Sequence, residues 1–240
     1  MEKLIYLIWG ERGSDPDATR NQLLEDCLPR MLEHDLGGVS LYVDDSDSDV
    51  PTPMPWPADE APLLAEVAFW IDCYDRRGPL EEILSEVGER RAGYLVSESM
   101  YTDYGGNRWS RARDWPDGKR SPGVFMLTLL QQPARMTHAE WISHWHGVQS
   151  PVSEAMQPRM RYVRNAVVFP VTPDAPNYRG IVEEGWPTPE HITNPDLFYC
   201  AEGSNETLQK NIARMVESVQ GFLDMDRIRS ATLSEYLIRT

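Results

Sequence analysis

Positive charge is scarce in this 240-residue sequence. Lys and Arg number 23 against 38 Asp and Glu, for a formal net charge of −15. Such a field repels phosphate backbones and anionic lipid, which argues against nucleic acid and membrane surfaces as partners. Lysine is confined to Lys3, Lys119 and Lys210. Lys119 lies in a Gly/Pro/charge-rich stretch and Lys210 in a polar helical register, so neither suits Schiff-base chemistry. No G-x-x-x-x-G-K-[ST] segment occurs, which excludes a P-loop. Cys27, Cys73 and Cys200 are odd in number, far apart and without a C-x-x-C pair. They encode neither a disulfide framework nor a structural zinc site. The longest apolar stretch, around Val124 to Leu130, falls far short of the roughly 20 residues of a membrane span. The start Met1-Glu2-Lys3-Leu4-Ile5 has no basic segment and no small-residue cleavage site. The expectation is a cytoplasmic globular protein.

Apolar periodicity divides the chain into two similar halves. In the first, Lys3 to Trp9 reads as a strand, and Asp15 is the N-cap of a helix with Leu23, Leu24, Cys27, Leu28, Met31 and Leu32 as its apolar stripe. Gly37-Gly38 ends that helix in this reading, and Val39 to Val43 is the next strand. Asp44 to Pro62, acidic and proline-rich, is expected to be a long exposed loop. It lacks the sixth-position Gly and distal Glu of a calcium loop. Leu64 to Ile71 is a strand, Pro79 to Arg90 a helix and Tyr94 to Tyr101 a strand. The second half repeats this order: strand Val124–Leu130, a helix capped by Thr137 with Glu140 at the capping-box position, strands Arg161–Phe169 and Tyr178–Trp186, helix Leu208–Phe222 and strand Ala231–Ile238. The last strands even look alike, Leu95-Val96-Ser97-Glu98 against Thr232-Leu233-Ser234-Glu235.

The economical reading is an α+β fold of two tandem ferredoxin-like βαββαβ units, residues 1–106 and 121–240, joined by a polar linker at 107–120. Each unit is a sheet with helices on one face. Stacking the two open faces covers them and places a pocket between the sheets.

The second half also carries a motif. Met136-Thr137-His138-Ala139-Glu140-Trp141-Ile142-Ser143-His144-Trp145, then His146-Gly147-Val148-Gln149-Ser150-Pro151-Val152 and Arg161-Tyr162-Val163-Arg164-Asn165, resemble the EthD-like branch of the dimeric α+β barrel superfamily. The first half matches in element order alone. The resemblance implies the barrel fold and a cavity for an aromatic ligand, with Trp145, Pro151, Tyr162 and Asn165 at motif positions. It departs where the family has histidines: Gln149 on the helix and Ala166 on the strand. The family includes cofactor-independent decarboxylases, so the resemblance points towards a lyase, but not through those two imidazoles.

Alternation along each strand assigns side chains to its two faces. Tyr162, Arg164 and Ala166 share one strand face and are expected in the cavity, with Arg161, Val163, Asn165 and Val167 under the helices. His144 and His146 flank the Trp145 face on opposite sides of their helix, so they cannot chelate one ion. No metal or organic cofactor is expected. The sequence reading is a cytoplasmic lyase of the decarboxylase type acting on a bulky phenolic acid. Tyr162 with His144 or His146 would move protons, and Glu183 or Glu184 would tune them. Arg164, or Arg161 if the register is reversed, would hold the carboxylate. Gln149, Trp145, Asn165 and Trp186, with Tyr6, Tyr42 and Trp70 as aromatic wall, complete the expected site. The alternatives are a non-catalytic carrier of a hydrophobic metabolite and a cofactor-free monooxygenase. The partner expected is the small aromatic substrate, with a homodimer also compatible.

Overall fold

A computed structural model describes residues 1–240. Strand β1 (Glu2–Trp9) leads into α1 (Pro16–Gln22), a π-helical turn (Leu23–Cys27) and α2 (Leu28–Met31). Then come β2 (Leu36–Val43), β3 (Leu63–Ile71), α3 (Gly78–Leu84) and β4 (Arg90–Thr102). The second pass gives β5 (Val124–Leu130), α4 (His138–His144), a π-helical turn (Trp145–Gln149), α5 (Ser150–Glu154), β6 (Arg161–Pro170) and β7 (Gly180–Trp186). Short helices α6 (Glu190–Thr193) and α7 (Pro195–Phe198) precede α8 (Asn205–Gln220) and β8 (Arg229–Arg239). Thr137 and Glu140 form the expected capping box.

The strands close in the order β1-β3-β2-β8-β5-β7-β6-β4. Each half contributes four neighbouring strands, and the halves join through the antiparallel pairs β2·β8 and β4·β6. Closure leaves no unpaired edge. It also makes both sheet faces core. On β1, Leu4, Tyr6 and Ile8 pack outward beneath the first-half helices, while Ile5, Leu7 and Trp9 point inward to Phe125, Leu127 and Leu233.

Both long helical segments contain their π turn just before a proline. Pro29 and Pro151 lack an N–H and would crowd the carbonyl four residues back. The residue before each proline instead bonds five residues back, Leu28 to Leu23 and Ser150 to Trp145. The wider turn departs from the 3.6-residue phase, so Val148, three residues after the buried Trp145, is 43% exposed.

Other expectations are corrected. Gly37-Gly38 does not end the helix but lies in β2, where Gly38 opposes Trp70. A Cβ on Gly38 would sit 3.1 Å from Trp70 Cδ1. Helix α3 stops at Leu84 rather than near Arg90, because Gly88, at φ +67°, turns the chain into β4. The acidic loop is anchored where it leaves β2. Asp45 is buried and accepts from Ser234 Oγ at 2.7 Å and Tyr236 Oη at 3.2 Å. The segment between β4 and β5 is likewise docked on β8, through Gly118 N to the Leu237 carbonyl and Ser121 N to the Glu235 carbonyl. No helix is long and apolar enough to cross a membrane.

Candidate functional site

Strand β6 faces the opposite way from the sequence expectation. Arg161, Val163, Asn165 and Val167 point into the barrel, whereas Tyr162 and Ala166 lie beneath the helices with Trp141 and Trp145. Valine marked the helix side only under the assumption of a single core. In a closed barrel the inner face is equally apolar.

Inside the barrel the apolar filling gives way to a charged cluster. Lys3 Nζ donates to Glu98 Oε2 at 2.7 Å, Asn165 Oδ1 at 2.9 Å and Glu183 Oε1 at 3.1 Å. Arg161 Nη1 donates to Glu235 Oε2 at 2.7 Å and to the Tyr42 hydroxyl. Tyr42 Oη lies 2.7 Å from both Glu183 Oε2 and Glu235 Oε2, and Tyr104 and Ser121 bond Glu235 Oε1. Burial opposes ionisation of Glu183, but Lys3 and Arg161 outweigh it and bring its carboxyl down to about 2. Glu66, on the inner face of β3 beside Leu7 and Tyr42, is fully buried and neither carboxyl oxygen has a partner. Burial, and then the neighbouring Glu183 charge, push its carboxyl well above the ordinary 4.5.

That placement has a signed consequence. Above about pH 4.5 the unfolded chain releases the Glu66 proton while the folded chain keeps it, so stability falls as pH rises. In that window the loss is about 3–5 °C of melting temperature per pH unit. Glu66→Gln should remove this slope, melting above the parent at pH 8 and near it at pH 4.5. Parallel melting curves for the two proteins would contradict the assignment.

A second cavity, of about 190 Å³, lies outside the barrel between the second-half sheet and its helices. Its apolar wall includes Trp145, Leu130, Val182, Phe222 and the flexible Met126 and Met215. Its polar groups are Gln149, Ser153, Gln157, Arg159, Tyr162 and Glu184, with Thr128 and Ser230 bonded to each other. Arg159 is buried. It stacks at 3.8 Å over the Tyr162 ring, with Nη1 on Glu184 Oε1 at 2.6 Å and Nη2 on Ser153 and Glu154. Ser150 Oγ donates to the Trp145 carbonyl, so the Tyr162 hydroxyl, 3.1 Å away, donates to Ser150. Burial raises the Tyr162 phenol, which stays protonated. What remains unpaired is mainly a set of acceptors, beside the buried Nε donor of Arg159. Gln149 Oε1 is buried without a partner, Glu184 Oε2 takes no protein hydrogen bond, and Tyr162 keeps a lone pair.

The expected site residues therefore divide. Trp145, Gln149, Tyr162 and Glu184 meet in this outer pocket. Arg161, Glu183, Asn165 and Tyr42 belong to the inner cluster, and Trp70 lines a separate cavity into which that cluster opens. Tyr6 is not cavity wall: it packs under the first-half helices and bonds Glu81 at 2.7 Å. Trp186 lines neither: it stacks behind Phe198, a wall of the outer pocket. Arg164 bonds Ser150 and Ser99 and lies over Tyr101. His144 holds the Ser218 carbonyl at 2.9 Å, and His146 sits edge-on to Trp145, its imidazole lowered by burial and Arg164. Neither imidazole lines the pocket. Lys3, Glu66, Glu98, Glu235, Tyr104 and Arg159 escaped the sequence reading. Alternation along Lys3-Ile5-Leu7-Trp9 and the carboxylate within Leu64-Ala65-Glu66-Val67-Ala68 were the available signals for two of them.

The closed strand order and outer helices have counterparts among known structures. An anthrone oxidase-like protein superposes with a TM-score of 0.55 over 99% of this chain and 93% of its own, at 8% identity. The chain folds as a dimeric α+β barrel within one polypeptide. Two further solved structures superpose with lower scores. A candidate monooxygenase from Fusobacterium nucleatum subsp. nucleatum reaches 0.49 at 7% identity, covering 99% of this chain and 92% of its own. A mutant chlorite dismutase from Candidatus Nitrospira defluvii reaches 0.43 at 7% identity, covering 97% and 90%. No protein-family model and no curated protein matches the chain.

Proposed function

We propose that this barrel is a cofactor-independent oxygenase of small hydroxylated aromatics, working in the outer pocket of its second half. The observation that carries the reading is an apolar pocket that gathers three unpaired acceptors, on Gln149, Glu184 and Tyr162, around the buried Arg159. A neutral phenol supplies the hydroxyl donors and flat apolar body that such a pocket lacks. A decarboxylase needs a cation for the substrate carboxylate. Both Nη atoms of Arg159 are already committed to Glu184, Ser153 and Glu154, and both of Arg164 to Ser150 and Ser99, so neither keeps more than its Nε for a carboxylate, while Arg161 lies within the barrel. The EthD-like motif supports the same location, since Trp145, Tyr162 and the histidine-replacing Gln149 all line this pocket. The name of the anthrone oxidase-like neighbour is compatible with oxidation of such a ring.

In this reading Glu184 Oε2 accepts the phenolic proton. The phenolate ring then passes an electron pair to O2. One oxygen atom bonds the ring carbon and the other leaves as water, with loss of that carbon's hydrogen. The balance is ArH(OH) + O2 → quinone + H2O. Size limits the substrate. An apolar cavity of about 150 Å³ holds benzene, so about 190 Å³ suits one substituted ring, or two fused rings if the methionines yield.

The test is oxygen uptake by chelator-treated protein with one- and two-ring phenols, 1-naphthol among them. One O2 consumed per quinone formed is expected. Binding without uptake would favour a carrier, and CO2 release from hydroxybenzoates would favour the lyase. Gln149→Ala should raise KM by about 2- to 12-fold, the worth of one neutral hydrogen bond, with kcat little changed. An unchanged KM would remove Gln149 from the site.

A further inference from the structure

The inner cluster opens at one end of the barrel into a separate cavity of about 400 Å³. Lys3, Arg161, Glu98 and Glu183 line its inner part, and Trp70 and Met100 line its walls. We propose that this mouth is a second ligand site, taking an apolar α-amino acid as its zwitterion.

The argument starts from which polar atoms are left open. All three Lys3 protons are used, on Glu98, Asn165 and Glu183, so Lys3 fixes its neighbours and does not anchor a ligand. Arg161 bonds through Nε and Nη1, while Nη2 has no protein partner. Glu98 uses Oε2 on Lys3, while Oε1 has none. An open guanidinium donor on Arg161 and an open carboxylate acceptor on Glu98 thus border the same cavity, with the Nε of Arg239 at its rim. The surrounding charge is balanced: Lys3, Arg161 and Arg239 face Glu98, Glu183 and Glu235. Asp103, on Arg161 Nε, is 56% exposed and screened by water. A singly charged ligand would upset this balance in a poorly solvated place, and a zwitterion would not. Its carboxylate pairs with Arg161 Nη2, its ammonium with Glu98 Oε1, and its side chain lies against Trp70. Gly37 and Gly38 keep the β2 rim free of side chains.

Three indole probes separate the charges: L-tryptophan, tryptamine and indole-3-propionate, titrated calorimetrically into the full chain. L-Tryptophan should bind at least roughly 10-fold more tightly than either analogue, the worth of one charged hydrogen bond. Glu98→Gln should abolish its advantage over indole-3-propionate. Trp70→Leu, away from the ion cluster, should weaken all three probes alike and so tests the site even if Glu98→Gln folds poorly. Gln149→Ala, in the outer pocket, should change none of these affinities. The site is refuted if L-tryptophan binds no more tightly than the singly charged probes, or if Trp70→Leu leaves its binding intact.

Discussion

Glu184→Gln should lower the turnover of phenols by roughly 10²–10⁴-fold, the usual contribution of a positioned general base. The substitution retains an oxygen for the 2.6 Å bond from Arg159 Nη1 and replaces the open Oε2 with an amide that cannot accept the substrate's proton. Arg159 keeps Glu154 at 3.2 Å and Ser153 at 2.9 Å, so the guanidinium is not left unpaired. The loss should therefore fall on kcat, with the binding of a non-oxidisable aromatic nearly unchanged. Rescue distinguishes a base from a prop: Glu184→Asp, which keeps a carboxylate, should retain part of the turnover that Glu184→Gln loses. If Glu184→Gln turns over at the parent rate while its melting temperature is unchanged, the proton goes elsewhere and the oxygenase site is misplaced.

Lys3→Met should destabilise the barrel by about 3–5 kcal/mol, the range for breaking a buried ion pair from one side. For a chain of this size that corresponds to about 6–20 °C of melting temperature. Burial works against the Lys3 charge, yet Glu183 and Glu98 hold the ammonium more firmly protonated than usual. Removing it leaves Glu183 buried with Arg161 as its remaining cation. The pH profile should change as well. In the parent, Glu183 ionises at about 2 against the ordinary 4.5, so its contribution is complete above pH 4.5 and is lost as pH falls towards 2. In the variant that contribution shrinks, so the gap between the two melting curves should widen as pH rises from about 2 to about 4.5. A further Glu183→Gln change should recover part of the loss. A gap that stays constant with pH would mean that packing of the lysine stem, and not its charge, is what matters.

Much of the architecture could be read from the sequence because each strand and helix advertises its own period. The βαββαβ repeat, the Thr137 capping box and the bounds of β5 follow from local pattern alone. What could not be read was which face of a strand is inner once the sheet closes. Tyr162 and Arg161 exchange roles through that one ambiguity, and with them the expected carboxylate anchor. Tertiary partners hid the rest. Arg159 lies in a Gln157-Pro158-Arg159-Met160 connection with no periodicity to mark it as buried. His144 and His146 are conspicuous in the sequence but are held by Ser218 and Trp145.

Covalent fusion of two similar units has one more consequence. Aligning the matching final strands equates Tyr6 of β1 with Thr128 of β5. In the first half the Tyr6 ring stacks on Phe69 and its hydroxyl reaches Glu81, filling the layer between sheet and helices. In the second half Thr128 is short and borders the open pocket. Two identical subunits related by a twofold axis could not differ in this way, since any residue that closes one copy closes both. A tandem gene lifts that constraint. One repeat is free to become dense and act as scaffold, while mutations that hollow out the other are tolerated because its twin supplies the stability they remove.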